Sequence, residues 1–230
     1  DRLIKNSDID YYMTFDNIRV GELQARYITR RQPEGNYVLL GGPTYDYNSF
    51  LVRLGQLNVL QPLVKKGDVD IIYDKYVAEW KTEEARRLMK ECLAENKDKP
   101  IDAVLAANDQ LAAGAIQALE EAGLAGKVSV AGMDANLNAL RNILNGKQTM
   151  TVYKPVKTLA AKTARAAVNL AKEGRITQIN DTIHNGRKSV KSVIVQPKVV
   201  HRKNIRNTVV KDGYWSEKQI FGEPVKNQAP

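Results

Sequence analysis

Five short polar clusters recur along the 230-residue chain, each directly after an apolar, β-rich run: Asp16 and Asn17; Thr44, Asp46 and Asn48; Tyr76 and Trp80; Asn108 and Asp109; Asp134 and Asn136. They present planar amides, carboxylates and aromatic rings. A carboxylate or amide engages two neighbouring hydroxyls at once, and an indole face covers the apolar C–H side of a ring. The set therefore suits a neutral polyhydroxyl ligand. Ionised acceptors make such bonds about twice as strong as neutral ones, and a site built this way rejects analogues whose missing hydroxyl would leave it unpaired. Each member also has a plainer use. Asp, Asn and Thr at a strand-to-helix turn are preferred caps, and Trp80 alone reads as a core or rim aromatic. Caps do not account for aromatics on the same edge.

Catalytic patterns are missing. No GxGxxG follows a strand, and there is no GxxxxGK[ST], no GxSxG and no CxxC. His184 and His201 lie late in the chain, without metal-ligand spacing. A glycosidase pair drawn from Asp46, Asp109 and Asp134 is explained more simply by caps and sugar hydrogen bonds. The expectation is a binding module that is not an enzyme and uses no catalytic residue, metal or cofactor.

The elements that must carry these groups follow from periodicity. From Asp10 to Lys172, β-rich runs alternate with segments of helical period, the signature of βαβ units and a parallel sheet. Strands are expected at 9–15, 36–40, 69–73, 101–106, 128–131 and 149–153. The intervening helices include one carrying Val20, Leu23, Tyr27 and Ile28 on a face. Another has Leu51, Leu54, Leu57 and Leu60 at three-residue spacing and stops near Pro62 to Gly67. A third starts at Thr82-Glu83-Glu84 and turns Leu88, Cys92 and Leu93 to the core. Later helices end at Gly123 and Gly146, and the last spans Val156 to Glu173. In such sheets ligands bind beyond the carboxyl ends of the strands, where the five clusters fall. After Gly174, Asn185-Gly186 signals a tight turn, Val190 to Val200 an edge or added strand, and Tyr214 to Pro230 a fraying tail.

Composition bounds the rest. With 43% hydrophobic and 27% charged residues the chain folds rather than staying disordered. No apolar run approaches the roughly 18 to 20 residues of a membrane span, and the opening Asp1-Arg2-Leu3 shows no signal-peptide pattern. The single Cys92 rules out an internal disulfide. Much of the +9 charge lies between His184 and Val210, where Arg187, Lys188, Lys191, Lys198, Arg202, Lys203 and Arg206 meet no acidic residue. Without interleaved aromatics for base stacking, that stretch reads as a solvated surface and not as a nucleic-acid site.

Ordered motifs carry a resemblance. Asp1-Arg2-Leu3, Phe15-Asp16-Asn17, Val20-Gly21-Glu22-Leu23-Gln24-Ala25, Ala107-Asn108-Asp109, Gly114-Ala115-Ile116-Gln117-Ala118-Leu119, Gly132-Met133-Asp134-Ala135 and Thr149-Met-Thr-Val-Tyr-Lys-Pro155 together resemble the type I periplasmic sugar-binding family, in its xylose-binding branch, and the similarity runs through Lys211-Asp212-Gly213. The resemblance implies an α/β, Rossmann-like doubly wound parallel sheet in two lobes that close on a monosaccharide. It carries the family's sugar ligands onto Arg2, Asp46, Asn48, Trp80, Asn108, Asp134 and Lys154. Arg2 would fork onto ring and hydroxyl oxygens, Trp80 would stack on the pyranose, Asn108 and Asp134 would fix hydroxyls, and Lys154 would add a donor.

The implied ligand is D-xylose or a related pentose. The implied partners are the membrane subunits of an ATP-driven (ABC) importer or a membrane sensor, and the implied place is periplasmic or extracellular, free or membrane-anchored. Family members carry further N-terminal residues that build most of the first lobe. The resemblance thus divides the chain into 1–17 and 153–180 as a first-lobe remnant, 18–152 as the second lobe, and 181–230 as its completion and tail. Such a remnant would expose Tyr11, Met13, Leu159 and Ala166 and seek the N-terminal segment or a second copy. The alternative is the effector core of a sugar-responsive transcription repressor, which shares this fold and would carry a helix-turn-helix, absent here.

Overall fold

Asp16 accepts a hydrogen bond from the Arg19 N–H at 2.8 Å and so starts the first helix directly after the first strand, as a capping carboxylate does. The same arrangement repeats along the chain. The computed structural model describes residues 1–222. Its elements are β1 (Tyr11–Phe15), α1 (Asn17–Arg31), β2 (Gly35–Gly41), α2 (Tyr47–Lys66), β3 (Val69–Tyr76), α3 (Thr82–Glu95), β4 (Ala103–Ala106), α4 (Asp109–Glu121), β5 (Ser129–Met133), α5 (Leu137–Leu144), β6 (Met150–Tyr153), α6 (Val156–Glu173), β7 (Asp181–His184), β8 (Ser189–Val195), β9 (Lys198–Val200) and α7 (Glu217–Phe221). A single π turn covers Arg206–Val210.

Two sheets result. The larger has six strands in the order β3-β2-β4-β5-β6-β9, parallel apart from β9. The smaller has the order β1-β8-β7, with β1 and β8 parallel and β7 antiparallel to β8. The inner strands of the larger sheet are buried over most of their length, as the near-continuous apolar runs Val38-Leu39-Leu40 and Ala103-Val104-Leu105-Ala106 require. Cys92 is buried in this core, and that burial pushes its thiol up to about 12. Helices α1 and α2 meet across two glycines. A Cβ on Gly21 would lie 1.9 Å from the Val52 carbonyl oxygen, and one on Gly55 2.0 Å from that of Ile18.

Helix α2 ends within the span expected for it, between Pro62 and Gly67. It runs through Pro62 to Lys66 and closes on Gly67 at φ +80°. The carbonyl that loses its donor at Pro62 belongs to Asn58, an exposed residue. Its buried face is Val52, Arg53, Gln56 and Leu60, while Leu54 stays 36% exposed. At about 100° per residue, a spacing of three rotates each leucine about 60° from the last, so the four do not share one face.

The β-branched run 190–200 is two strands and not one. Gln196-Pro197 interrupts it, Pro197 having no N–H for a ladder, and the halves part: β8 joins β1, whereas β9 pairs with β6. Residues 181–230 were expected with the larger lobe. Among them β9, the π turn and α7 do pack on the larger sheet, but β7 and β8 lie in the sheet of β1.

The tail from Tyr214 is docked through residue 222. Tyr214, Trp215, Ile220 and Phe221 pack with Leu140 and Ile143, Trp215 Nε1 donates to the Ala135 carbonyl at 2.9 Å, and Ser216 with Gln219 forms a capping box. Pro224 and Pro230 lie outside the described residues. The late basic stretch finds carboxylates from elsewhere: Lys188 meets Asp8 at 2.7 Å, Lys198 meets Asp212 at 3.0 Å, and Arg206 pairs with Glu217. Exposed apolar side chains on α6 are Val156, Val168 and Leu170. Ala166 is buried, and Tyr11, Met13 and Leu159 are half-buried. No described helix is long and apolar enough to cross a membrane.

Candidate functional site

Each parallel strand of the larger sheet ends at the same edge and hands its polar cluster to the next helix. After β2, Asp46 caps α2, its Oδ1 accepting from the Asn48 N–H at 3.0 Å. Its Oδ2 accepts from Arg2 Nε at 3.0 Å, Arg2 Nη2 at 2.8 Å and Trp80 Nε1 at 3.2 Å. Burial alone would raise the Asp46 pKa. The Arg2 guanidinium, the Asn48 N–H and the Trp80 indole together outweigh it and hold the carboxyl below the usual range.

Arg2 reaches this point because the Asp1 carbonyl accepts from Tyr12 Oη and Thr14 Oγ1, both at 3.0 Å, which ties the segment to β1. Trp80 lies over the backbone of Gly42, where a Cβ would come within 2.0 Å of the ring. Asn48 Oδ1 accepts from Asn17 Nδ2 at 3.1 Å, linking the cluster after β2 to the one after β1.

The other half of the site comes from β4, β5 and β6. Asn108 caps α4 with Oδ1 on the Leu111 N–H at 2.9 Å, and among the described residues its Nδ2 has no acceptor. Asp134 leaves β5 at φ +100° and meets Lys154 Nζ, just past β6, at 3.0 Å. Lys154 also stands 5.7 Å from the Phe15 ring centre. Behind these loops lies a second layer of buried polar groups. Gln24 Nε2 donates to the Ala106 and Gly132 carbonyls, both at 2.9 Å, and Gln24 Oε1 accepts from Gln56 at 2.8 Å. One glutamine of α1 thereby fixes the ends of β4 and β5 relative to each other.

All seven residues expected as ligands, Arg2, Asp46, Asn48, Trp80, Asn108, Asp134 and Lys154, line one cavity of about 260 Å³. Asp1, Gln110 and Met133 complete its wall. Sequence reasoning missed Gln110, which follows the Asn108-Asp109 pair by one residue, and Met133, which reads as strand core. Other members of the five clusters serve elsewhere. Asp16 is a cap, Thr44 lines a neighbouring hollow, Tyr76 lies 5.1 Å from the Arg53 guanidinium, and Asp109 and Asn136 bond to one another outside the cavity. The cavity offers fixed donors in Arg2, Lys154 and Asn108, acceptors in Asp46 and Asp134, and one indole. Among the described residues there is no group of three or more His, Cys, Asp or Glu side chains placed to hold a metal ion.

Comparison with known proteins gives a consistent set. A periplasmic binding protein domain family matches residues 1–176. The chain is 47% identical over 221 residues to the D-xylose-binding periplasmic protein of Haemophilus influenzae, and 45% identical over 220 residues to that of Escherichia coli. In each case the match covers 96% of this chain and 66% of the relative, so the chain spans just under two thirds of their length. Among solved structures, a carbohydrate transporter solute-binding protein from Chloroflexus aurantiacus in complex with D-glucose superposes with a TM-score of 0.89 at 29% identity, covering 95% of this chain and 72% of that one. An ABC transporter solute-binding protein from Clostridium phytofermentans with bound β-D-glucose gives 0.85 at 30% identity, covering 96% and 73%.

Proposed function

Because the chain belongs to the periplasmic binding protein family, we propose that its cavity takes one monosaccharide, D-xylose or a closely related pentose. The observation that carries this reading is the convergence of seven side chains from six separate segments on one small polar cavity with an indole wall. Its volume of about 260 Å³ lies below the roughly 300 to 1,000 Å³ of drug-sized ligand sites, which suits a single sugar ring.

The roles follow from the geometry. Arg2 and Lys154 donate to ring or hydroxyl oxygens, each steadied by its own carboxylate. Asp46 and Asp134 accept from hydroxyls with their remaining lone pairs, Asn108 Nδ2 donates, and Trp80 covers the C–H face. The cavity draws on both sheets, since Arg2 is tied to β1 and the rest come from the larger sheet. In this reading the two sheets belong to two lobes, the chain passes between them after β1, β6 and β8, and a sugar touching both favours the closed arrangement. The protein works by binding and release, without chemistry. The names of the relatives support a periplasmic place and a partnership with an ATP-driven importer, both properties of the longer protein.

Calorimetric titration with D-xylose, with D-ribose and D-glucose as controls, tests this. We expect saturable heat with D-xylose and a loss of about tenfold or more in affinity in Trp80→Ala. Absence of heat at millimolar sugar, an affinity weaker than about 4 kcal/mol, overturns it.

A further inference from the structure

Asp109 opens α4 one residue after Asn108, yet its side chain is buried and points to a different task. Its Oδ2 accepts from the Asn136 backbone N–H at 2.8 Å and from the Thr151 hydroxyl at 3.0 Å, and its Oδ1 accepts from Gln148 Nε2 at 3.0 Å. Thr151 Oγ1 accepts in turn from the Ala135 N–H at 3.2 Å. One carboxyl group and one hydroxyl thus hold two consecutive amides of the turn that follows β5.

That turn needs holding. Asp134 and Ala135 have φ of +100° and +52°, where side chains other than glycine are rarely found, and such conformations persist only when their surroundings over-determine them. Helix α5, which begins immediately afterwards, has no side-chain cap bond of its own. Room for the clamp is made by Gly132, where a Cβ would lie 2.1 Å from Asp109 Oδ1. An acidic residue in a first helical turn complements the helix dipole from an exposed position, so dipole compensation does not explain why this one is buried at a desolvation cost. Burial pushes its carboxyl up to about 8, the Asn136 N–H pulls the other way, and the nearby Asp134 charge adds to the rise.

We propose that Asp109 is a positioning residue: through Asn136, Thr151 and Gln148 it fixes the 134–136 turn so that Asp134 meets Lys154 at the cavity, and in doing so sets the strength of sugar binding. The link to sugar rests on the function proposed above; the holding of the turn does not.

Two measurements on the whole chain separate these parts: amide hydrogen exchange without sugar, and D-xylose titration. In Asp109→Ala, exchange at Ala135 and Asn136 rises at least about tenfold while β2 and β4 stay protected, and the D-xylose Kd rises about tenfold to a hundredfold. Asp109→Asn rescues most of both, because its oxygen still accepts from Asn136 and Thr151. Its amide can pair with Gln148, whose Oε1 lacks a donor, once that amide flips. Thr151→Val, which removes one donor to Asp109 and the acceptor for Ala135, loosens the same two amides and serves if Asp109→Ala fails to fold. Unchanged exchange at Ala135 and Asn136 in the variants that fold overturns the clamp. Faster exchange with a D-xylose Kd within about twofold of the parent overturns its link to binding. A parent chain that takes up no D-xylose, with the turn loosened in the variants, overturns the sugar reading and supports the clamp.

Discussion

Asp46 and Asp109 are both buried carboxylates at helix starts, and their surroundings drive them in opposite directions. Asp46 is held below its ordinary value, so the stability it contributes is present above the unfolded-state pKa, near 4, and is lost as pH falls through the folded value. Asp109 keeps its proton up to about 8 in the folded protein, whereas the unfolded chain releases it near 4. Its contribution therefore declines as pH rises across that window. Urea midpoints measured from pH 3 to 9 are expected to show a shallower acid limb in Asp46→Asn and a shallower decline between about pH 4 and 8 in Asp109→Asn. A second prediction concerns Gly42. Its substitution by Ala drives a Cβ into the Trp80 ring, so Gly42→Ala is expected to shift the tryptophan emission and weaken D-xylose binding at least about tenfold, approaching the loss in Trp80→Ala. At this scale the sequence was informative for residues whose own loop defines them. Asp46 and Asn108 stood out as polar groups after strands, and both line the cavity. The task of Asp109 was hidden because its partners Gln148 and Thr151 are far along the chain and adjacent only once β5 and β6 pair.

Helices and strands were legible wherever local chemistry terminates them. Helices α5 and α6 have the limits expected from sequence, set by left-handed residues at Gly146 and Gly174. Where solvent or a neighbour decides, the local sequence says less. Pro62 stays inside α2, the carbonyl it orphans belonging to the exposed residue Asn58, and the buried face of α2 includes the crossing with α1 at Gly55. That crossing yields a prediction. In Gly55→Ala the new methyl meets the Ile18 backbone carbonyl, which has no rotamer to escape by. The substitution is expected to lower unfolding stability by about 1 to 3 kcal/mol in urea titration, despite the better helix propensity of alanine.

At the scale of the whole molecule, the parallel sheet could be anticipated from the alternation of strands and helices, and the resemblance set residues 1–17 apart from 18–152, but the parting of the run 189–200 between two sheets could not be foreseen. Nothing in the run 189–200 says which partner each half will find, since β1 and β6 are distant in sequence and compete only in space. The smaller sheet is covered sparingly: α6 buries only Ala166 and leaves Val168 and Leu170 exposed at 49% and 39%. An unshielded apolar face of this kind favours association, so light scattering of the purified chain is expected to show self-association that weakens in Val168→Glu. The pairing of β1 with β8 reaches further. Tyr11 is matched with Lys191, so on a ribosome β1 emerges long before β8, the strand that pairs with it. Until then it is an open edge rich in tyrosine, beside helices that already pack among themselves. The β1–β8 ladder therefore closes late, and a nascent chain stalled anywhere before β8 carries β1 without its partner.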